Sequence, residues 1–282
     1  MKTKVIAALL VLAIAIVWPV TARQLNAANY YYKNKVIVLM YHHIDTKESG
    51  ATISPARFGT HMKLLKDKGY NVISIEQFAD FMQKKATVPN NAVVITFDDG
   101  YDSFNEYAVP IMKKYDYVAA HFIIGASSDN HNVATKHLDW DTMRKLKEEG
   151  FSFYSHTYDQ HHYAPLNESG SRTGPMLTNR IYLKDQKRVE TKAEYVARLK
   201  ADTSLIESRL KEELDNNYQL IAFPFGAFNS TSKKIQKDAG VSLFFTVKPG
   251  INTQGSDEVY RINAGSPKMT GNNFLEALRK FH

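Results

Sequence analysis

The chain has 282 residues, 44% hydrophobic and 23% charged, a composition that fits a folded globular protein and excludes disorder or a fibrous repeat. Its 36 basic and 29 acidic residues leave a charge of +7, spread along the chain rather than blocked, which suits an anionic surface and does not indicate nucleic acid. The lack of cysteine excludes disulfide scaffolds, thiol nucleophiles and Cys-ligated metal, so any metal must be held by His and carboxylate.

In chain order, Lys2 and Lys4 precede an apolar run, Val5 to Val17, and no further charge appears until Arg23. That is the pattern of a secretory signal, with Ala22 or Ala27–Ala28 as cleavage points. An uncleaved anchor is the alternative, because the uncharged stretch Val5 to Ala22 is only just short of a membrane span. Residues 1–28 are therefore expected to be a signal peptide or anchor, and 29–282 one domain working outside the cytoplasmic membrane, secreted or cell-surface associated.

The body alternates strands and helices. Val36–Tyr41 reads as a strand, followed by a helix opened by Ser54-Pro55 and closed before Gly69. Next come a strand over Asn71–Ile75, a helix over Glu76–Lys85, a strand over Ala92–Phe97 and a helix near Tyr107–Tyr115. Strand Ala119–Ile124, helix Asp141–Glu149, strand Phe151–Ser155 and the long helix Lys192–Leu214 follow. Leu220–Phe223, helix Thr231–Ala239, Leu243–Val247, Val259–Ile262 and helix Asn273–Phe281 complete the chain. Such alternation predicts parallel pairing with both faces covered, and the number of units predicts an α/β barrel in a single domain. Thr46–Thr52 and the polar stretch Ala164–Glu190 read as insertions.

Three unusual clusters each follow an apolar strand: Asp98-Asp99-Gly100, His156, and Pro224-Phe225-Gly226. In a parallel barrel the strand C-termini share the active face, so these segments should converge. Adjacent strand residues point to opposite sides, so Asp98 and Asp99 are expected to do different work, one ligating a metal and one facing the reacting water. An Asp-Asp-Gly turn without function has the same sequence. His156, His161 and His162 crowd one short segment, although the whole chain holds only 10 histidines. Two imidazoles plus a carboxylate, with positions left open for water, make the ligand set of a hydrolytic zinc site, whereas a solvated His-rich loop is the plain alternative. His121, His131, His137 and His282 read as structural or surface residues.

At this point the sequence resembles the polysaccharide deacetylases, the NodB-homology enzymes of carbohydrate esterase family four. The resemblance rests on Thr96-Phe97-Asp98-Asp99-Gly100-Tyr101, Leu39-Met40-Tyr41-His42-His43-Ile44, Leu138-Asp139-Trp140-Asp141, Ser155-His156-Thr157 and Ala222-Phe223-Pro224-Phe225-Gly226, in family order. It implies a distorted (β/α) barrel of about seven parallel strands and a divalent metal, most often Zn2+. It also implies Asp98 as catalytic base, Asp99, His156 and His161 as metal ligands, and the Phe225 backbone N–H as oxyanion donor. Trp140, Tyr101 and Pro224 are the expected substrate contacts.

Three departures matter. His156 and His161 are one residue further apart than in most of the family, a spacing that resembles the branch acting on poly-β-1,6-N-acetylglucosamine. The family's Arg-x-Pro-Tyr-Gly appears as Ala222-Phe223-Pro224-Phe225-Gly226, so the arginine that orients the base is missing. The late Leu-x-His motif that supplies the general acid is also absent, leaving His42 or His43 as candidates. The implied function is metal-dependent N-deacetylation of an N-acetylglucosamine polysaccharide. Peptidoglycan or chitin-type oligomers are the alternative substrates, and a non-catalytic glycan-binding member or a two-carboxylate glycosidase are the other readings. No feature indicates an oligomer, so a monomer is the default expectation.

Overall fold

Short runs of Val, Ile, Leu and Phe become strands covered on both sides: all six residues of Val36–Tyr41 and all six of Ala92–Phe97 are buried. The structure, a computed structural model, describes residues 30–130 and 134–282. The expected leader or anchor at 1–28, and His131, lie outside the described residues. Tyr32–His282 forms one unit.

Its nine-stranded sheet runs Glu258–Val259, Leu243–Phe245, Leu220–Ala222, Ser152–Ser155, Ala120–Ile123, Ala92–Phe97, Val36–Tyr41, Ile262–Asn263, with Asn71–Val72 also pairing beside Ala92–Phe97. Every pairing in it is parallel. The sheet curls into a half-barrel wrapped by helices, the distorted (β/α) architecture expected from sequence. Val259–Ile262 is not the single strand expected. Glu258–Val259 pairs with Leu243–Phe245 at one end of the sheet, and Ile262–Asn263 pairs with Val36–Tyr41 at the other. The chain therefore crosses the open seam of the barrel at Tyr260-Arg261.

Alternate strand residues fill the interior. Val36, Val38, Ala92, Val94, Ala120, Phe122, Tyr154, Leu220, Ala222, Leu243, Phe245 and Val259 form one buried cluster with Ile75, Phe78, Ala79, Phe81 and Met82 of the helix Ile75–Met82. Each large side chain so buried contributes about 1.5–3 kcal/mol. The same parity, carried past the strand ends, gives the inward positions His42, Asp98 and His156. Helix starts follow their sequence signals: Ser54 accepts from the Arg57 N–H ahead of Pro55–Asp67, and Thr191 with Glu194 forms a capping box ahead of Lys192–Leu214. The helix expected near Tyr107–Tyr115 is instead a π turn, Phe104–Ala108, leading into Val109–Lys113. The insertion at 164–190 forms two small antiparallel hairpins, Tyr163–Pro165 with Thr173–Pro175 and Tyr182–Leu183 with Arg188–Val189.

Candidate active site

Ala92–Phe97 delivers Asp98 at its C-terminal end, and there strand alternation stops. Asp99 has φ +77° and Gly100 φ +86°, two successive left-handed residues. The turn swings Asp99 back beside Asp98, so the two carboxylates line one cavity rather than facing opposite sides. His121 holds this turn from beneath. Its ring is fully buried, with Nε2 2.9 Å from the Gly100 amide nitrogen and 3.1 Å from the Asp98 carbonyl oxygen. Burial pushes its pKa down to about 4, so the imidazole is neutral and accepts the Gly100 N–H.

The arginine absent from the motif at 222–226 is supplied from elsewhere in the chain, where it meets Asp98. Arg261, wholly buried at the barrel seam, donates from its two terminal nitrogens to the Asp98 carboxylate at 2.7 and 2.8 Å. Its Nε donates to the Thr246 carbonyl at 2.9 Å. This fork fixes both carboxylate oxygens. Burial raises the Asp98 carboxyl, but Arg261, helped by His156, outweighs it and holds the group below its ordinary value.

His156 follows Ser152–Ser155, and its Nδ1–H donates to the Ala222 carbonyl at 2.8 Å, turning Nε2 towards Asp99. Nε2 of His156 and of His161 lie 3.3 and 3.2 Å from Asp99 Oδ1. That buried oxygen has no hydrogen-bond partner. The three ligand atoms lie within 4.8 Å of one another. Donors about 2.0–2.1 Å from a tetrahedral ion sit roughly 3.3–3.4 Å apart, so this N2O set fits a divalent metal. Burial opposes the Asp99 charge, yet the two histidines hold its carboxyl well below the usual range.

The wide histidine spacing has a structural basis. Thr157 is left-handed at φ +73°, and the loop behind it is gathered by the buried Asp202 of the long helix. Asp202 accepts from the Tyr158 N–H at 3.1 Å, the Asp159 N–H at 2.7 Å and the Gln160 side chain at 3.1 Å. Arg198, one turn earlier, reaches Gln160 and the carbonyls of Met176 and Asn179, tying the insertion to the same helix. His162 points away and bonds Asp159 at 2.9 Å.

Asp98, Asp99, His156, His161 and His42 meet in a cavity of about 210 Å3 walled by Phe223, Phe225, Gly226 and Val247. His42 Nε2 lies 4.0 Å from Asp98 Oδ2. Burial pushes the His42 pKa down, with Asp98 opposing. Phe225 is left-handed at φ +58°, and Gly226 follows at φ +64°, where a Cβ would lie 2.4 Å from Val247. A larger groove of about 650 Å3 lies between helices Lys192–Leu214 and Ser230–Asp238. It lacks the His-and-carboxylate set, so chemistry rather than size marks the site.

With this geometry in hand, the sequence profile described as polysaccharide deacetylase matches residues 85–244. The chain belongs to the polysaccharide deacetylase family. Members of this family are hydrolases acting on amide bonds. The chain is 26% identical over 260 residues to the poly-β-1,6-N-acetyl-D-glucosamine N-deacetylase of Escherichia coli strain K12, covering 86% of this chain and 38% of that protein. It thus spans well under half of that relative's length. It is also 26% identical over 249 residues to the Staphylococcus aureus strain MRSA252 protein of the same name, covering 82% and 78% of the two chains. A solved de-N-acetylase from Aggregatibacter actinomycetemcomitans superposes with a TM-score of 0.77 at 27% identity, covering 88% of this chain and 100% of that one.

Within this member of the family, other expected residues fall differently. Trp140 is buried, its indole N–H donating to Asp129 at 2.7 Å under the Arg209 guanidinium, and it does not line the cavity. Pro224 is buried in the turn before Phe225. Tyr101 rests between the His43 and His137 rings, its hydroxyl pushed up to about 12 by burial and Asp99. His282 bonds Tyr70 at 2.7 Å. Sequence reading missed Arg261, Arg198 and Asp202, and it read His121 as a structural or surface residue without placing it under the Gly100 turn. For Arg261 the available signal was a lone arginine inside an otherwise apolar strand pattern.

Proposed function

We propose that the chain is an extracytoplasmic, metal-dependent N-deacetylase of an N-acetylglucosamine polysaccharide, with poly-β-1,6-N-acetylglucosamine as its substrate and zinc as its metal. The carrying observation is one small cavity that joins the Asp99–His156–His161 group to an arginine-held Asp98. The names of the E. coli and S. aureus relatives support the substrate. The signal pattern of residues 1–28 supports the location, leaving 29–282 as the catalytic domain.

Asp99, His156 and His161 would hold the ion, which supplies Lewis acidity that lowers water's pKa towards ~7 and polarises the acetyl carbonyl. Asp98, ionised and held by Arg261, takes the proton of the attacking water as its oxygen bonds the acetyl carbon. The Phe225 backbone N–H donates to the oxygen that gains charge, an interaction of the kind worth roughly 3–4 kcal/mol. His42 gives a proton to the sugar nitrogen as the C–N bond breaks, releasing acetate and a free amine. Burial opposes its charged form while Asp98 and Asp99 favour it, so the proton it delivers is one relayed from Asp98, 4.0 Å away.

The test is amine release from β-1,6-linked N-acetylglucosamine oligomers, with and without chelator, and with Asp98→Asn. Chelator-sensitive release that disappears in Asp98→Asn supports the proposal. Release only from chitin or peptidoglycan oligomers overturns the substrate, and no release from any of them overturns the activity.

A further inference from the structure

His161 is the first ring of an aromatic path that leaves the cavity. The Phe225 ring lies 4.3 Å from it, and Tyr163 meets Phe225 edge to face at 4.8 Å and 62°. Tyr163 is 58% exposed, Phe225 42% and Val247 44%. These are three of the seven large hydrophobic side chains exposed among the described residues, and all three sit at or beside this one cavity. Soluble surfaces scatter such side chains singly, so a cluster at a cavity mouth marks a binding surface.

The cluster is also rigidly displayed. Tyr163 begins the hairpin strand Tyr163–Pro165, paired opposite Pro175. The hairpin is anchored by the buried Ala164 and Leu177, by Met176 N–H donating to the His162 carbonyl at 3.0 Å, and by Arg198. Tyr163 therefore projects from a fixed base, its ring packed edge to face on Phe225 and otherwise more than half open to water.

We infer that Tyr163 and Phe225 form a stacking platform for the pyranose ring adjacent to the residue being deacetylated. The occupant follows from continuity with the site. Once an acetyl group enters the cavity, the neighbouring ring of the same polymer must lie against its rim. A hexosamine ring offers an apolar C–H face to an aromatic wall while its hydroxyls stay in water. This rests on the proposed deacetylation for the identity of the ligand, but its test does not need turnover.

The experiment measures binding of a β-1,6-linked N-acetylglucosamine pentamer, by calorimetry, to the metal-loaded Asp98→Asn protein, alone and combined with Tyr163→Ala or Tyr163→Phe. Tyr163→Ala is expected to weaken binding about tenfold, equivalent to about 1.4 kcal/mol, and Tyr163→Phe to stay within about twofold because the ring matters and the hydroxyl does not. Zinc binding by Tyr163→Ala should match that of the unsubstituted protein, because Tyr163 lies outside the Asp99, His156 and His161 group. Equal pentamer affinity with and without the Tyr163 ring, or no pentamer binding to either form, overturns the platform. A tenfold loss of zinc affinity in Tyr163→Ala also overturns it, by showing that Tyr163 shapes the Asp99, His156 and His161 group. Amine release by the unsubstituted protein decides the deacetylase reading separately.

Discussion

Replacing Arg261 by Met should separate what the ion pair does for stability from what it does for catalysis. The substitution keeps an unbranched side chain but leaves the Asp98 carboxylate buried without its partner, and it also frees the Thr246 carbonyl. Removing one member of a buried pair costs about 3–5 kcal/mol, because the remaining charge stays desolvated. The sign follows from the direction of the Asp98 shift. A carboxyl held below its ordinary value contributes in full above about pH 4 and loses that contribution as pH falls through the folded-state value, so at pH 7 the whole term is at stake. With charge centres about 4 Å apart and an effective dielectric near 20, the attraction is roughly 4 kcal/mol, and it acts to lower the Asp98 pKa. Without Arg261 the base must therefore ionise at higher pH. The acidic limb of kcat/KM should move to higher pH, while the Asp99, His156 and His161 side chains stay in place. Urea unfolding at pH 7 reads the first effect and a pH–rate profile the second. A stability loss under 1 kcal/mol together with an unmoved acidic limb would refute the account of Arg261 as the group that holds the base.

The remaining predictions concern residues that act through others. Asp202→Asn, which removes a carboxylate gathering three donors of the 156–161 loop, should weaken zinc affinity about 10–100-fold with helix content unchanged, read by chelator competition; unchanged affinity would count against the loop argument. His121→Phe keeps an aromatic ring among Phe97, Phe104 and Phe153 but removes the acceptor of the Gly100 N–H, so kcat should fall about tenfold or more with a small change in Tm. A large loss of Tm with kcat retained would make His121 a packing residue only. Gly226→Ala places a Cβ 2.4 Å from Val247 at φ +64°, and a loss of about 1–3 kcal/mol in thermal stability is expected. Adding Val247→Ala should recover the steric part and leave the backbone part, and failure of any recovery would mean that the clash is not the cause.

Much of this protein is legible in the order of its residues. The apolar runs Val36–Tyr41 and Ala92–Phe97 are strands over the expected spans, and the helix Lys192–Leu214 begins and ends where its caps and periodicity place it. These are local properties: side-chain branching, hydrophobic period and capping hydrogen bonds act within a few residues. The convergence of Asp98, His156 and Phe225 also follows from sequence, because parallel strands must end on one face.

What sequence order could not convey depends on closure of the sheet and on backbone sign. Val259 to Ile262 looks like one strand, yet its halves belong to opposite ends of the barrel, since a curled sheet brings its first and last edges together. That closure carries Arg261 to Asp98, 163 positions away, so an arginine absent from one motif is supplied from across the seam. Likewise, strand alternation sends Asp98 and Asp99 to opposite faces until the left-handed turn, held by His121, brings them together. Residue types and their order thus determined the strands, the helices and the list of reactive groups. Only the tertiary structure decided which arginine holds Asp98 and which oxygen faces the histidines, because those relations depend on contacts between segments that share no local signal.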